Sequence, residues 1–180
     1  MSQWKIVSQK PVFKAKLFKV REVVFKDKKG KRKTHHIVER DTTIAVLPLT
    51  DQYEVYLISE YRYMLDRVIL GAVAGFVKGR ESAIAAAKRE LQEETGIISH
   101  QLEEIARVEI AASVIKSRMH IFLAKGLEMG DNKLDEDEEI KVVKMPLELA
   151  VEKVMLGEIN HAASMIGILM LDKLKRDKKL

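Results

Sequence analysis

Residues Gly75 to Ile97 read GFVKGRESAIAAAKRELQEETGI, and this stretch decides how the 180-residue chain is read. From Ser82 to Thr95 it is rich in Ala, Leu, Lys, Arg, Gln and Glu, all strong helix formers. Ser82 is placed to cap a helix and Gly96 to end it. Ile84, Ala87 and Leu91 fall at i, i+3 and i+7, which predicts one core-facing stripe. Glu90, Glu93 and Glu94 project from one flank of the same helix. Like charges so placed disfavour the helix by about 0.2–0.5 kcal/mol per pair unless a cation joins them. A hard divalent cation with oxygen ligands is the natural partner. Taken alone, such a helix reads more readily as a solvated acidic face. The glycine-containing loop ahead of it argues otherwise, because backbone can approach a ligand closely there. Glu81 and Arg89 stand about two turns apart, so they pair only if Glu81 lies in the loop and folds back.

Outward from this helix, strands and helices mix without regular βαβ alternation, which favours an α+β fold. Lys14 to Lys26 reads as a strand, Asp27-Lys28-Lys29-Gly30 as a turn and Thr34 to Arg40 as the returning strand of a hairpin. Thr43 to Leu49 reads as a buried strand; Tyr53 to Glu60, Val68 to Val73, Glu104 to Val114 and Arg118 to Ala124 read as further strands. Pro146 to Leu156 and Asn160 to Lys175 read as helices.

The length suits one domain with a small appendage. The chain has no cysteine, which excludes a disulfide scaffold, a thiolate metal site and a cysteine nucleophile. No apolar run approaches the ~18 residues of a membrane helix. The opening MSQWKIVSQK has no apolar core of a signal peptide, so a cytoplasmic location is expected. The net charge of +5 conceals an asymmetry: residues 1–40 carry 13 Lys and Arg against Glu22, Asp27 and Glu39, and the remainder is acidic. A basic leader suits nucleic acid, a membrane surface or a phosphorylated ligand, whereas the acidic remainder suits a metal.

The central stretch resembles the Nudix box, G-x5-E-x7-R-E-U-x-E-E-x-G-U, with U a bulky aliphatic residue. Gly75, Glu81, Arg89, Glu90, Leu91, Glu93, Glu94, Gly96 and Ile97 match all nine specified positions. The resemblance implies the Nudix fold, a mixed β-sheet between helices, here with an N-terminal antiparallel hairpin. It implies residues 1–40 as a hairpin segment that forms a homodimer, and 41–180 as the hydrolase domain. It implies cleavage of a nucleoside diphosphate joined to another group, assisted by Mg²⁺ or, in its place, Mn²⁺. Glu90 and Glu94 would be the main ligands, Glu93 an auxiliary one and the Ala74 carbonyl a further one. Gly75, Glu81, Arg89 and Gly96 would shape the motif, with Glu81 and Arg89 holding the loop on the helix. The chemistry agrees: a divalent cation offsets diphosphate charge and acidifies a bound water.

Beyond the box, the chain is similar to the ADP-ribose and nucleoside diphosphate sugar pyrophosphatase branch. Val73-Ala74-Gly75, the acidic run within Asp131 to Glu139, Gly157 to Ser164 and Glu60-Tyr61-Arg62 carry this likeness. It implies a catalytic carboxylate in the acidic run, Glu136 as the base and Glu138 as a second carboxylate that helps hold metal. It implies Arg62 on the diphosphate or terminal ribose, Phe18 stacking on a base and Arg118 facing the site. The competing readings are a surface arginine for Arg62 and a core phenylalanine for Phe18. His120 and His161 read as structural residues.

There are departures from the branch pattern at Gly71, at Lys78-Gly79-Arg80 and at His35-His36. They leave base and sugar selectivity open, and GDP- or UDP-sugars, NADH and dinucleoside diphosphates stay as alternative substrates. A non-catalytic nucleotide-sugar sensor is a weaker alternative, since every box glutamate is present. Nucleic acid is disfavoured as a partner because the leader lacks an RNA-binding pattern.

Overall fold

The computed structural model describes residues 4–132 and 139–180. Eleven strands and three helices follow in order: β1 (Lys5–Lys14), β2 (Phe18–Lys26), β3 (Arg32–Arg40), β4 (Thr43–Pro48), β5 (Glu54–Arg62), β6 (Arg67–Gly71), β7 (Val73–Phe76), α1 (Ala83–Thr95), β8 (Ile97–Glu109), β9 (Ile115–Lys116), β10 (Arg118–Met129), β11 (Ile140–Pro146), α2 (Leu147–Met155) and α3 (Ala162–Arg176). The contacts divide the chain into two units, one of residues up to Thr42 with Glu109–Arg118, the other of Thr43–Val108 with Met119–Leu180.

In the first unit β1, β2 and β3 form an antiparallel meander, and the short β9 adds to β3 in parallel. Asp27 closes the β2–β3 turn by accepting from the N–H groups of Lys29 and Lys31 at 2.9 and 3.0 Å. The expected hairpin is β2–β3, set within a four-stranded sheet. The stretch from Lys14 bends at Ala15–Leu17 and continues back as β1, a strand the hydropathy pattern concealed. Pro11 and three lysines interrupt its apolar residues, and the pairing with β2 is irregular beside Pro11. Such devices are usual on a strand at a sheet edge.

In the second unit a four-stranded sheet runs β7-β4-β10-β8, with β10 parallel and β7 antiparallel to β4. A three-stranded antiparallel sheet runs β11-β5-β6. Every residue of β4 is buried, which explains its unbroken apolar run TIAVLP. Ile44, Val46, Val73, Phe122 and Ala124 of the first sheet pack with Ala86, Ala87 and Leu91 of α1. Ile84, expected in this stripe, is instead 43% exposed. The buried stripe of α1 runs through Ala86, Ala87, Glu90, Leu91, Glu94 and Thr95, and Ile84 sits at its edge in the open first turn. The strand expected over Glu104 to Val114 begins earlier, at Ile97, and stops at Glu109. The expected strand from Val68 to Val73 is two strands, β6 and β7, that belong to different sheets. No helix among the described residues is long and apolar enough to cross a membrane.

Candidate active site

The helix α1 is set by local chemistry at both ends. Ser82 accepts from the Ala85 N–H at 3.2 Å, and Gly96 closes the helix with φ 72° in the left-handed region. Between these caps the buried face carries two carboxylates, Glu90 at 9% and Glu94 at 7% exposure. They are not the solvated acidic face a Glu-rich helix usually presents. Burying carboxylates costs free energy unless a positive partner compensates. Gly75 on β7 makes room for one of them, since a Cβ at that position would overlap the Glu90 carboxylate.

Arg89 organises the surrounding loop. Its guanidinium reaches Glu81 at 2.8 Å, Glu90 at 2.8 Å and Glu93 at 2.9 Å, and donates to the Phe76 carbonyl at 3.0 Å. Glu81 also accepts from the Lys78 N–H at 2.6 Å. One fork thus ties β7, the loop and the helix together, a geometry that suits arginine and no other residue. The Arg89 hydrogen bond, with the Lys78 N–H second, holds the Glu81 carboxyl below its usual range. Burial pushes Glu90 in the opposite direction, upward, although Arg89 draws it back in part. Arg89 itself is driven further toward the protonated form, chiefly by Glu81. Glu90 is a carboxylate whose ionised form would gain from a second cation.

Among the described residues no three His, Asp or Glu side chains converge in a set that would hold a metal ion. Glu93 is turned to Arg89. Glu90 and Glu94 on α1 offer oxygen donors alone, and the Glu90 carboxylate lies against Gly75 on β7. This fits a hard cation that keeps several of its waters, as Mg²⁺ does. The glycine gap at Gly75 fits it too, because it lets the Glu90 carboxylate lie against β7.

Beside this strand the second unit holds a cavity of about 610 Å³. It brings together Ala74 and Arg62 and is also lined by Glu60, Arg67, Asn160 and His161. Arg62 pairs with Glu60 at 2.7 Å. The cavity wall is pinned by Ser164 of α3, fully buried, which accepts from the Ala72 N–H at 2.8 Å. Its hydroxyl also lies 2.9 Å from His161 Nδ1. Burial, then the positive charge of Arg62, lowers the pKa of His161 and favours its neutral form. Arg67, Asn160 and His161 were not singled out as site residues from the sequence. The match over Gly157 to Ser164 marked that segment without indicating where it packs.

Phe18 belongs to the first unit, where its ring packs on Phe13 at 5.7 Å and lines a cavity of about 310 Å³ with Lys14, Lys16 and Arg40. Arg118 is in the same unit and faces Glu109 at 3.5 Å. Glu136 and Glu138 lie outside the described residues. His120 sits 3.2 Å from Glu104 and stacks on Phe122, a structural placement.

Comparison with known proteins adds the following. The NUDIX domain family matches residues 39–164. An ADP-ribose pyrophosphatase of Bacillus subtilis (strain 168) is 30% identical over 171 residues, covering 91% of this chain and 92% of that protein. A methanol dehydrogenase activator of Bacillus methanolicus is 25% identical over 166 residues, covering 91% of this chain and 90% of that one. The crystal structure of an ADP compounds hydrolase superposes with a TM-score of 0.87 at 25% identity, covering 100% of this chain and 98% of that one.

Proposed function

The chain belongs to the NUDIX family of hydrolases, and from that premise we propose that it cleaves the diphosphate bond of nucleoside diphosphate sugars of the ADP-ribose type. The observation that carries the reading is the pair of buried glutamates on α1, Glu90 and Glu94, the first of them set against β7, the strand whose Ala74 lines the Arg62 cavity. The names of the relatives, an ADP-ribose pyrophosphatase and an ADP compounds hydrolase, point the same way.

In this reading Glu90, Glu94 and the Ala74 carbonyl hold Mg²⁺, with Mn²⁺ as a substitute and Glu93 as an auxiliary carboxylate. When bound, the cation offsets the diphosphate charge and acidifies a coordinated water. The chain's own residues do the rest. Arg89 and Glu81 fix the loop so that the Glu90 carboxylate stays where Gly75 leaves room. Arg62, oriented by Glu60, binds a diphosphate oxygen. A carboxylate of the acidic run, Glu136 foremost and Glu138 second, takes the proton of the attacking water. The water oxygen bonds to one phosphorus, and the bridging P–O bond breaks toward the other phosphate. The products are a nucleoside monophosphate and a sugar phosphate, AMP and ribose 5-phosphate from ADP-ribose.

The protein acts in the cytoplasm as a homodimer in this reading, supported for the dimer by the exposed apolar residues of the edge strand β1. The reading keeps Phe18 and Arg118 as substrate-binding residues.

The deciding experiment is Glu94→Gln assayed with Mg²⁺ on ADP-ribose and a panel of nucleotide sugars. Removing a ligand carboxylate should lower turnover about 100-fold or more, roughly 3 kcal/mol of transition-state stabilisation, with an unchanged melting profile. Wild-type turnover in this variant would remove the metal assignment. Turnover of nucleoside triphosphates alone would remove the substrate class. Comparing Glu136→Gln with Glu138→Gln locates the base; full activity in both would place it elsewhere.

A further inference from the structure

The cavity beside β7 holds more positive charge than a neutral sugar requires. Arg62 and Arg67 stand directly opposite each other across the antiparallel pair β5–β6, and both line the cavity. Like charges in that register destabilise a sheet unless an anion lies between them. Arg62 has its carboxylate in Glu60. Arg67 has a different kind of partner. With the Asn160 amide turned so that its oxygen faces the guanidinium, that oxygen accepts from both terminal nitrogens at 3.3 and 3.0 Å. No ion pair joins Arg67 to a carboxylate among the described residues. An amide positions a guanidinium without cancelling its charge, which leaves that charge and the remaining N–H donors of Arg67 available to a ligand.

The rest of the lining sharpens the point. His161, adjacent to Asn160, is held toward its neutral form and adds no counter-charge. Ala162, the first residue of α3, also lines the cavity, and a helix start contributes partial positive charge. Ile58 and Ile69 supply apolar wall. The backbone at Ala74 places all this next to the proposed cleavage site.

We propose that Arg67, positioned by Asn160, recognises a second anionic group on the substrate, a phosphate carried by the sugar beyond the diphosphate. The inference rests on the hydrolase reading above and deepens it: the enzyme selects phosphorylated nucleoside diphosphate sugars over unmodified ones. Arg62 serves the diphosphate, and Arg67 serves the added group.

The test measures kcat/KM for ADP-ribose and for ADP-ribose carrying a phosphate at C1 of its terminal ribose. Calorimetric binding of ribose 5-phosphate and ribose 1,5-bisphosphate is measured alongside. Wild type should prefer the phosphorylated substrate about 10-fold or more, the scale of one charge-assisted contact. Arg67→Gln, a change at an exposed residue, should erase that preference, and Asn160→Ala should reduce it. An unchanged ratio in Arg67→Gln, or an equal loss on both substrates, would overturn the proposal; the latter assigns Arg67 to the diphosphate. If neither substrate is cleaved yet bisphosphate binding is tighter and depends on Arg67, the hydrolase reading fails and the anion site stands. If both are cleaved and the two ribose phosphates bind alike, the anion site fails and the hydrolase reading stands.

Discussion

Gly75 sits where the helix and the strand of the box meet, and a single methyl group there should be enough to disturb the chemistry. A Cβ at this position overlaps the carboxylate of Glu90. Gly75→Ala must therefore push Glu90 off β7 or push β7 off the helix. Overpacking of this kind costs about 1–3 kcal/mol. The expected result is a lower melting temperature together with at least a tenfold loss of Mg²⁺-dependent turnover; full turnover would mean that Glu90 does not need to lie against β7. His161 makes a second prediction at this scale. Burial, and then Arg62, lower its pKa in the folded protein. The unfolded chain, with a histidine near pH 6.5, thus takes up a proton more readily than the native one. Above about pH 6.5 both states are neutral and nothing changes. As pH falls through that value the unfolded state gains, so stability decreases toward acid. Thermal melts from pH 8 to 5.5 should show the decline, and His161→Asn should flatten it. Equal slopes in the two proteins would assign the acid sensitivity to other groups.

Among the elements, α1 was the most legible in the sequence because its limits are written in its own residues. Ser82 caps it and Gly96 ends it, so the expected and observed spans differ by one residue. Gly96 does more than end the helix: its φ is 72°, and a Cβ there would meet the Gly130 carbonyl. Gly96→Ala should cost about 1–2 kcal/mol for the left-handed backbone alone, plus the strain of that contact, read as a lower urea midpoint at unchanged slope. A midpoint equal to wild type would mean that the chain around Gly130 yields freely. The β elements were less legible for a reason that local pattern cannot supply. One apolar run became β6 and β7 because the Ala72 N–H between them is claimed by Ser164, 92 residues away. Strand β11 has a single well-buried residue before its closing proline, Met145, and so carries little hydrophobic signal. The site divides in the same way. The box residues lie within 23 positions and were readable as a unit. Arg67 and Asn160 meet where His161 and Ser164 come up beside Gly71 of β6, and nothing adjacent to either residue announces the other.

At the scale of the whole molecule, the +10 balance of residues 1–40 and the acidity of the remainder first suggest a polyanion partner for the leader. The proposed homodimer gives that segment a different use. Its edge strand β1 is exposed at every residue, and it carries Ile6 at 67% and Phe13 at 55% exposure beside Val7 and Val12. An edge strand with apolar side chains is a template for pairing with a second chain. Lys5, Lys10 and Lys14 on the same strand keep that pairing from being indiscriminate. Two copies joined through β1 would bring like charges together, so the association must be apolar and salt must favour it by screening the lysines. A stable interface needs roughly 800 Å² from each partner, which one strand alone falls short of and a whole sheet face can supply. The protein is therefore expected to run as a dimer of about twice 20.5 kDa in light-scattering chromatography, and to stay so at higher salt. Ile6→Lys combined with Phe13→Glu should yield a folded monomer, since neither residue belongs to the buried core. A wild-type monomer at micromolar concentration would refute the dimer. A dimer that dissociates at high salt would show that ion pairs hold it, and would move the interface away from β1.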